Sequence, residues 1–303
     1  MLKAIKTGLL GGIAVALALS GCASAPVAES NAAPGAARPA MWKLADEDTT
    51  IYLFGTFHLL PPELQWRTAA FDTALATADE LVFEIANLDD QAAAASAMTR
   101  LGLSSGLPPL RERVPEEKRA ALDAMVKDSG IPAAALDRFE TWAAALALVS
   151  VTFKQLGVSG EAGVEKSLGA GYKASGKPVL GLETIEQQLG LFDRLPEEAQ
   201  RTFLVGVLES PEDLREQFRK MLDAWSRGDE AGIAATFDED AKLSPTLRQA
   251  LLTDRNARWA EWLDARMDRP GTVFVAVGAG HLAGRDSVQS MLRSKGLKAK
   301  RIQ

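Results

Sequence analysis

The chain has 303 residues, 47% of them hydrophobic and 24% charged, which is enough apolar material for one large domain or two small ones. A formal charge of −6, with no basic stripe interleaved with aromatics, argues against a nucleic-acid partner. The single cysteine rules out an internal disulfide.

At the N-terminus, Lys3 and Lys6 precede an apolar run, Gly8 to Leu19, that is too short to span a bilayer comfortably. The run closes in Leu19-Ser20-Gly21-Cys22, which resembles a bacterial lipobox. This predicts an export signal over residues 1–21, lipid attachment at Cys22, and a periplasm-facing protein anchored to the cell-envelope membrane. An ordinary secretory signal cleaved after Ala23 or Ala25 is the alternative, and either one exports the chain. The stretch up to Ala40 is rich in Ala, Pro, Ser and Asn without periodicity, so residues 22–40 read as a flexible tether. Residues 41–303 then form a single domain.

Met41 to Leu44 and Thr49 to Phe54 are β-prone runs around the polar turn Asp46-Glu47-Asp48 and predict a hairpin. The second run leads into Gly55-Thr56-Phe57-His58. A helix is expected to begin after Pro61-Pro62, with Leu64, Phe71, Leu75 and Ala78 on one stripe. Glu80 to Ile85 reads as a buried strand, which makes residues 50–86 a strand–GxxH–helix–strand unit with parallel strands. Within that strand Glu84 sits among Val82, Phe83 and Ile85. A carboxylate there is costly unless it is paired, bound to a cation, or able to reach solvent at the strand end.

From Asp89 to about Leu156 the pattern is helical; Phe139, Trp142, Leu146, Val149 and Phe153 are assigned to core packing. Glu165 reads as a surface residue of the next helix. Val179 to Leu182 is a short buried strand with Glu183 at its carboxyl end. That position suits a ligand site in an open α/β sheet, but it equally suits the first turn of the helix that follows. Ser244-Pro245 reads as an N-cap followed by proline at the first helical position. In that helix Leu247, Leu251, Arg255, Trp259 and Trp262 share a face. Arg255 either snorkels outward or points into a site, where it would hold a carboxylate or stabilise an oxyanion. Thr272 to Val277 is a strand ending in Gly278-Ala279-Gly280-His281, followed by a helix, Ser287 to Lys295, and an edge strand, Lys298 to Ile302. The end of the chain thus repeats the plan of residues 50–86.

The chain has two histidines, and both close a Gly-x-x-His at the end of an apolar strand. At ordinary glycine frequency, chance places both this way on the order of half a percent of the time. If the two strands are neighbours, His58 and His281 converge with Glu84 and Glu183 at one sheet edge. Two imidazoles and one or two carboxylates suit a divalent metal (Mn, Co, Zn or Fe) holding a nucleophilic water, with a remaining carboxylate as general base. The competing reading is that each histidine merely caps its strand end.

The paired Gly-x-x-His motifs resemble the TraB/GumN family, which is related to the TIKI metalloproteases and more distantly to ChaN-like and erythromycin-esterase-like proteins. The Glu84 strand, Lys177-Pro-Val-Leu-Gly-Leu-Glu-Thr184, Gln187-Gln188-Leu189 and Leu252-Thr-Asp-Arg-Asn-Ala-Arg-Trp259 agree with that resemblance. It covers residues 41–303 and implies an α+β domain whose mixed sheet is covered by helices, with both histidine motifs at the sheet edge. TIKI-type members imply a metal-dependent peptidase acting on a peptide or protein substrate, with Mn or Co the usual metals. By position, His58 and His281 fall in the metal site, Glu84 is the catalytic or ligand carboxylate, and Arg255 supports them. An exported, envelope-tethered hydrolase is the leading expectation. The alternative is a non-catalytic envelope protein that binds a peptide, a signal molecule or haem.

Overall fold

A computed structural model describes residues 37–303 apart from 88, 156, 157, 159, 209, 210, 242 and 243. The export signal and Cys22 lie outside the described residues. The end of the expected tether does not: Ala37 and Ala40 are buried, Ala37 N donates to Gln65 O at 2.8 Å, and Arg38 N donates to Ser226 O at 2.7 Å. The packed fold therefore begins by residue 37 rather than 41.

Among the described residues six strands form one mixed sheet: β1 (Met41–Ala45), β2 (Thr49–Thr56), β3 (Glu80–Ile85), β4 (Val179–Glu183), β5 (Gly271–Gly278) and β6 (Lys300–Arg301), in the order β4-β3-β5-β2-β1-β6. β4, β3, β5 and β2 run parallel, while β1 is antiparallel to both β2 and β6. The expected hairpin, both strand–GxxH–helix–strand units and the C-terminal edge strand are all present. β5 slots between the two strands of the first unit and pairs with β2 from Thr49↔Gly271 to Thr56↔Gly278.

The central strands are apolar on both faces because both faces are covered. Phe54, Leu81, Phe83, Phe274 and Ala276 pack on one side with Phe71 and Trp225. Ile51, Leu53, Val82, Val273, Val275 and Val277 pack on the other with Trp259, Leu263, Val288 and Leu292. A third cluster, around Trp142, Leu146, Phe192 and Phe203, contains no strand residue.

Three local expectations give way: Phe139 precedes the helix Thr141–Gln155 and bridges Leu103, β4 is an edge strand with Leu180 and Gly181 exposed rather than buried, and the first helix starts late. The first helix is Ala69–Thr77 rather than starting after Pro62, because Thr68 is its N-cap and accepts from Phe71 N at 3.1 Å. Leu64 precedes that helix. The Ser244-Pro245 start is as read from the sequence, with Ser244 Oγ accepting from Leu247 N at 3.3 Å.

Candidate functional site

The carboxyl ends of the four parallel strands share one edge of the sheet, and each contributes there. β2 leads to His58, β5 to His281, β3 supplies Glu84 as its penultimate residue, and β4 ends at Glu183. Arg255 reaches the same place from the helix Asp254–Met267. All five residues singled out by the sequence are thereby brought together.

Gly278 is the centre of the arrangement. A Cβ there would lie 3.1 Å from Glu84 Oε1, 3.6 Å from His281 Cδ2 and 3.6 Å from His58 Nε2. The three side chains close around the space that a larger residue would fill. At Gly55 the matching Cβ would sit 3.1 Å from Ala279 Cα, so the first motif's glycine lets the second motif pack against it. Trp225 Nε1 donates to Gly55 O at 2.8 Å and fixes that strand end.

Glu84 is held through both oxygens, and Oε1 keeps one acceptor site. Oε1 accepts from Gly278 N at 2.8 Å, while Oε2 accepts from Gln188 Nε2 at 2.9 Å and from Arg255 Nη2 at 2.6 Å. Burial pushes its pKa up, but the Arg255 charge, the histidines and the Gly278 amide outweigh burial and hold it well below the ordinary carboxylate range. Glu183 is buried as the last residue of β4 and takes Arg255 Nε at 3.1 and 3.0 Å and Nη2 at 2.8 Å. The helix that follows is capped by Thr184 instead, so of the two readings of Glu183 the structure shows the strand-end one.

The two histidines stand in different surroundings. His281 is buried, and its Nδ1 lies 2.5 Å from Asn256 Oδ1. Asn256 Nδ2 donates to Asp286 O at 2.8 Å, which fixes Oδ1 as the acceptor and places the imidazole proton on Nδ1. Nε2 is then a bare lone pair, and it accepts from Arg255 Nη1 at 2.9 Å. Burial and the Arg255 charge push its pKa down to about 3, so it is neutral. His58 is partly exposed, and its Nδ1 lies 2.8 Å from the buried Glu165 Oε1. Burial pulls its pKa down, but the Glu165 charge and contact prevail and raise it above the ordinary histidine value.

Glu165 was read as a surface residue and is the site member that the sequence reading missed. It is the second residue of the helix Val164–Ala174, whose Val164 N donates to Phe57 O at 3.2 Å. A Cβ at Gly163 would fall 2.3 Å from His58 O, so only glycine lets this helix start come close enough to deliver Glu165. The available signals were Gly163 itself and the stripe Val164, Leu168, Tyr172, which turns the neighbouring Glu165 toward the core edge.

Among the described residues no group of three or more His, Cys, Asp or Glu side chains is arranged to hold a metal ion. The physical reason is Arg255, whose guanidinium lies between His281, Glu84 and Glu183 and is bonded to all three. As arranged, this donor set does not fit the expected divalent metal. Nor is Arg255 aimed at a substrate carboxylate, since the carboxylates it holds are the protein's own.

Residues 40–301 match the family model described as TraB/PrgY/gumN. The uncharacterized protein YbaP of Escherichia coli K12 is 28% identical over 184 residues, which is 61% of this chain and 68% of YbaP; YbaP of Shigella flexneri matches to the same extent. A protein of Treponema pallidum is 25% identical over 175 residues, 54% of this chain and 52% of its own length. No solved structure gives a significant match. The family match spans nearly all of the described fold, including both Gly-x-x-His motifs, and the chain belongs to the TraB/PrgY/gumN family.

Proposed function

We propose that this protein is an envelope-tethered hydrolase of acyl bonds, with His58 as general base and a peptide the substrate class favoured by the resemblance to TIKI-type proteins. One observation carries the reading. His58 Nδ1 is held by Glu165 at 2.8 Å while its Nε2 faces the space around Gly278 and Glu84 Oε1. A carboxylate on one imidazole nitrogen, with the other turned to a partly open space, is the arrangement of a general base.

In this reading a water between His58 Nε2 and Glu84 Oε1 donates to both. Its oxygen adds to the acyl carbon as its proton passes to His58 Nε2. Glu165 offsets the imidazolium charge. When the tetrahedral adduct collapses, the proton goes from His58 to the leaving amine, and His58 returns to neutral. Haem capture by two axial imidazoles finds no support, because His281 Nε2 is taken by Arg255.

The test is a peptide library incubated with the detergent-solubilised full chain and read by mass spectrometry. His58→Ala is expected to lose cleavage by about 10²–10⁴-fold, the usual range for a lost general base. No cleavage by the wild type, or wild-type turnover in His58→Ala, would overturn the proposal. We place the anchor at Cys22. Cys22→Ala should move the protein from the membrane to the soluble fraction, and retention in the membrane would contradict that placement.

A further inference from the structure

We propose that the Arg255 guanidinium is the resident cation of this site, standing where a divalent metal would otherwise sit, and that His281 is a positioning residue that locks it. This goes beyond the hydrolase reading, because it concerns what holds the site's charge whatever chemistry is done there.

Every donor of Arg255 is taken by the protein itself. A guanidinium has five N–H groups. In Arg255 the Nε–H faces Glu183, the two on Nη1 meet Leu251 O and His281 Nε2, and the two on Nη2 meet Glu84 Oε2 and Glu183 Oε2. None is left for a substrate. Charge is matched as well. Glu84 and Glu183 are met by Arg255 and by Arg258, whose Nη2 lies 3.4 Å from Glu183 Oε1, so the cluster balances without an added ion. His58 and Glu165 form their own pair.

Space is also taken. A metal bound to His281 Nε2 and a carboxylate oxygen needs distances of roughly 2.0–2.2 Å. Arg255 Nη1 already occupies that approach at 2.9 Å. The guanidinium is further pinned over Trp259, 4.6 Å from the ring centroid, and the His281 ring packs on the same tryptophan at 4.3 Å. Asn256 fixes the His281 tautomer so that its lone pair receives Arg255. His281 therefore completes the shell of Arg255, and His58 alone keeps a ring nitrogen free for chemistry.

The test titrates Mn, Co and Zn separately into the detergent-solubilised full chain by calorimetry, and follows the two histidine ring signals by NMR as Mn is added. The wild type should take up no stoichiometric ion, and His281 should show no selective broadening. Arg255→Met leaves two carboxylates and a bare imidazole, and should bind one ion at least 100-fold more tightly than the wild type. The triple variant Arg255→Met, Glu84→Gln, Glu183→Gln should fold and bind none. One equivalent bound by the wild type and lost in His281→Ala would overturn the proposal. So would an Arg255→Met protein that stays folded yet takes up no metal. If Arg255→Met does not fold, the wild-type broadening experiment decides: selective loss of the His281 signal refutes the proposal, and its persistence supports it.

Discussion

Gly163→Ala is the smallest change that separates His58 from its carboxylate. The added Cβ would sit 2.3 Å from His58 O and 3.0 Å from His58 C, contacts to backbone that cannot rotate away. Bringing the oxygen contact from 2.3 Å to even 3.0 Å needs a displacement of 0.7 Å between the helix start and the β2 exit. Taken along the His58–Glu165 axis, this lengthens the 2.8 Å ion-pair contact by a quarter of its length. Overpacking of this kind costs about 1–3 kcal/mol. A shift approaching 1 Å at a base costs about 10²-fold in rate.

Proton NMR suits the assay because the chain has two histidines to assign. In the wild type, Glu165 lifts His58 above the ordinary value against the pull of burial. With the carboxylate displaced, the largest contribution raising it is weakened while burial and the Arg255 charge still pull it down, so the His58 titration moves to lower pH. Gly171→Ala, in the same helix with nothing within 4 Å of its Cβ, is the control and should stabilise by about 0.8–1 kcal/mol through helix propensity. An unchanged His58 titration in Gly163→Ala, with stability within about 0.5 kcal/mol of wild type, would refute the contact and the base assignment built on it.

Trp225→Phe keeps most of the buried ring but strips the donor from Gly55 O, and should lower stability in urea unfolding by about 1–3 kcal/mol; an unchanged midpoint would mean that this bond does not hold the β2 end. Stability should also depend on pH. His281 titrates at about 3 in the fold against 6.5 when free, so the unfolded chain binds the extra proton and stability falls as pH drops from 6.5 toward 3. Glu84, also depressed, adds loss in the same direction at the acid end. His58, whose pKa is raised, contributes stability that is full below 6.5 and is lost as pH rises through its folded value. Urea midpoints that stay flat from 6.5 down to the carboxylate range would contradict the buried neutral His281.

The sheet was legible because its central strands are continuous apolar runs, two of them (β2 and β5) closed by glycine, and such runs need cover on both faces. Glu84 stood out because a carboxylate in such a run demands a partner, and Arg255 because it interrupts an apolar helical face. What they do to one another was not legible. Residue type permits a metal between two histidines and two carboxylates, and only the three-dimensional placement puts a guanidinium there. Glu165 was misread for a related reason. Its helix looks amphipathic, and its burial arises from a backbone approach at Gly163 that periodicity does not encode. The late start of the first helix turns on the Thr68 cap, a local hydrogen bond that outweighed the apolar spacing of Leu64.

The central claim is that two sequence-alike histidines have unlike states, one a base and one a lock. Long-range proton–nitrogen correlation of both imidazoles, taken from the carboxylate range to well above the ordinary histidine value, reads this directly. His281 should stay neutral with its proton on Nδ1 until close to pH 3, and His58 should titrate above 6.5. Two histidines titrating together near 6.5, or a His281 that protonates before His58, would contradict it.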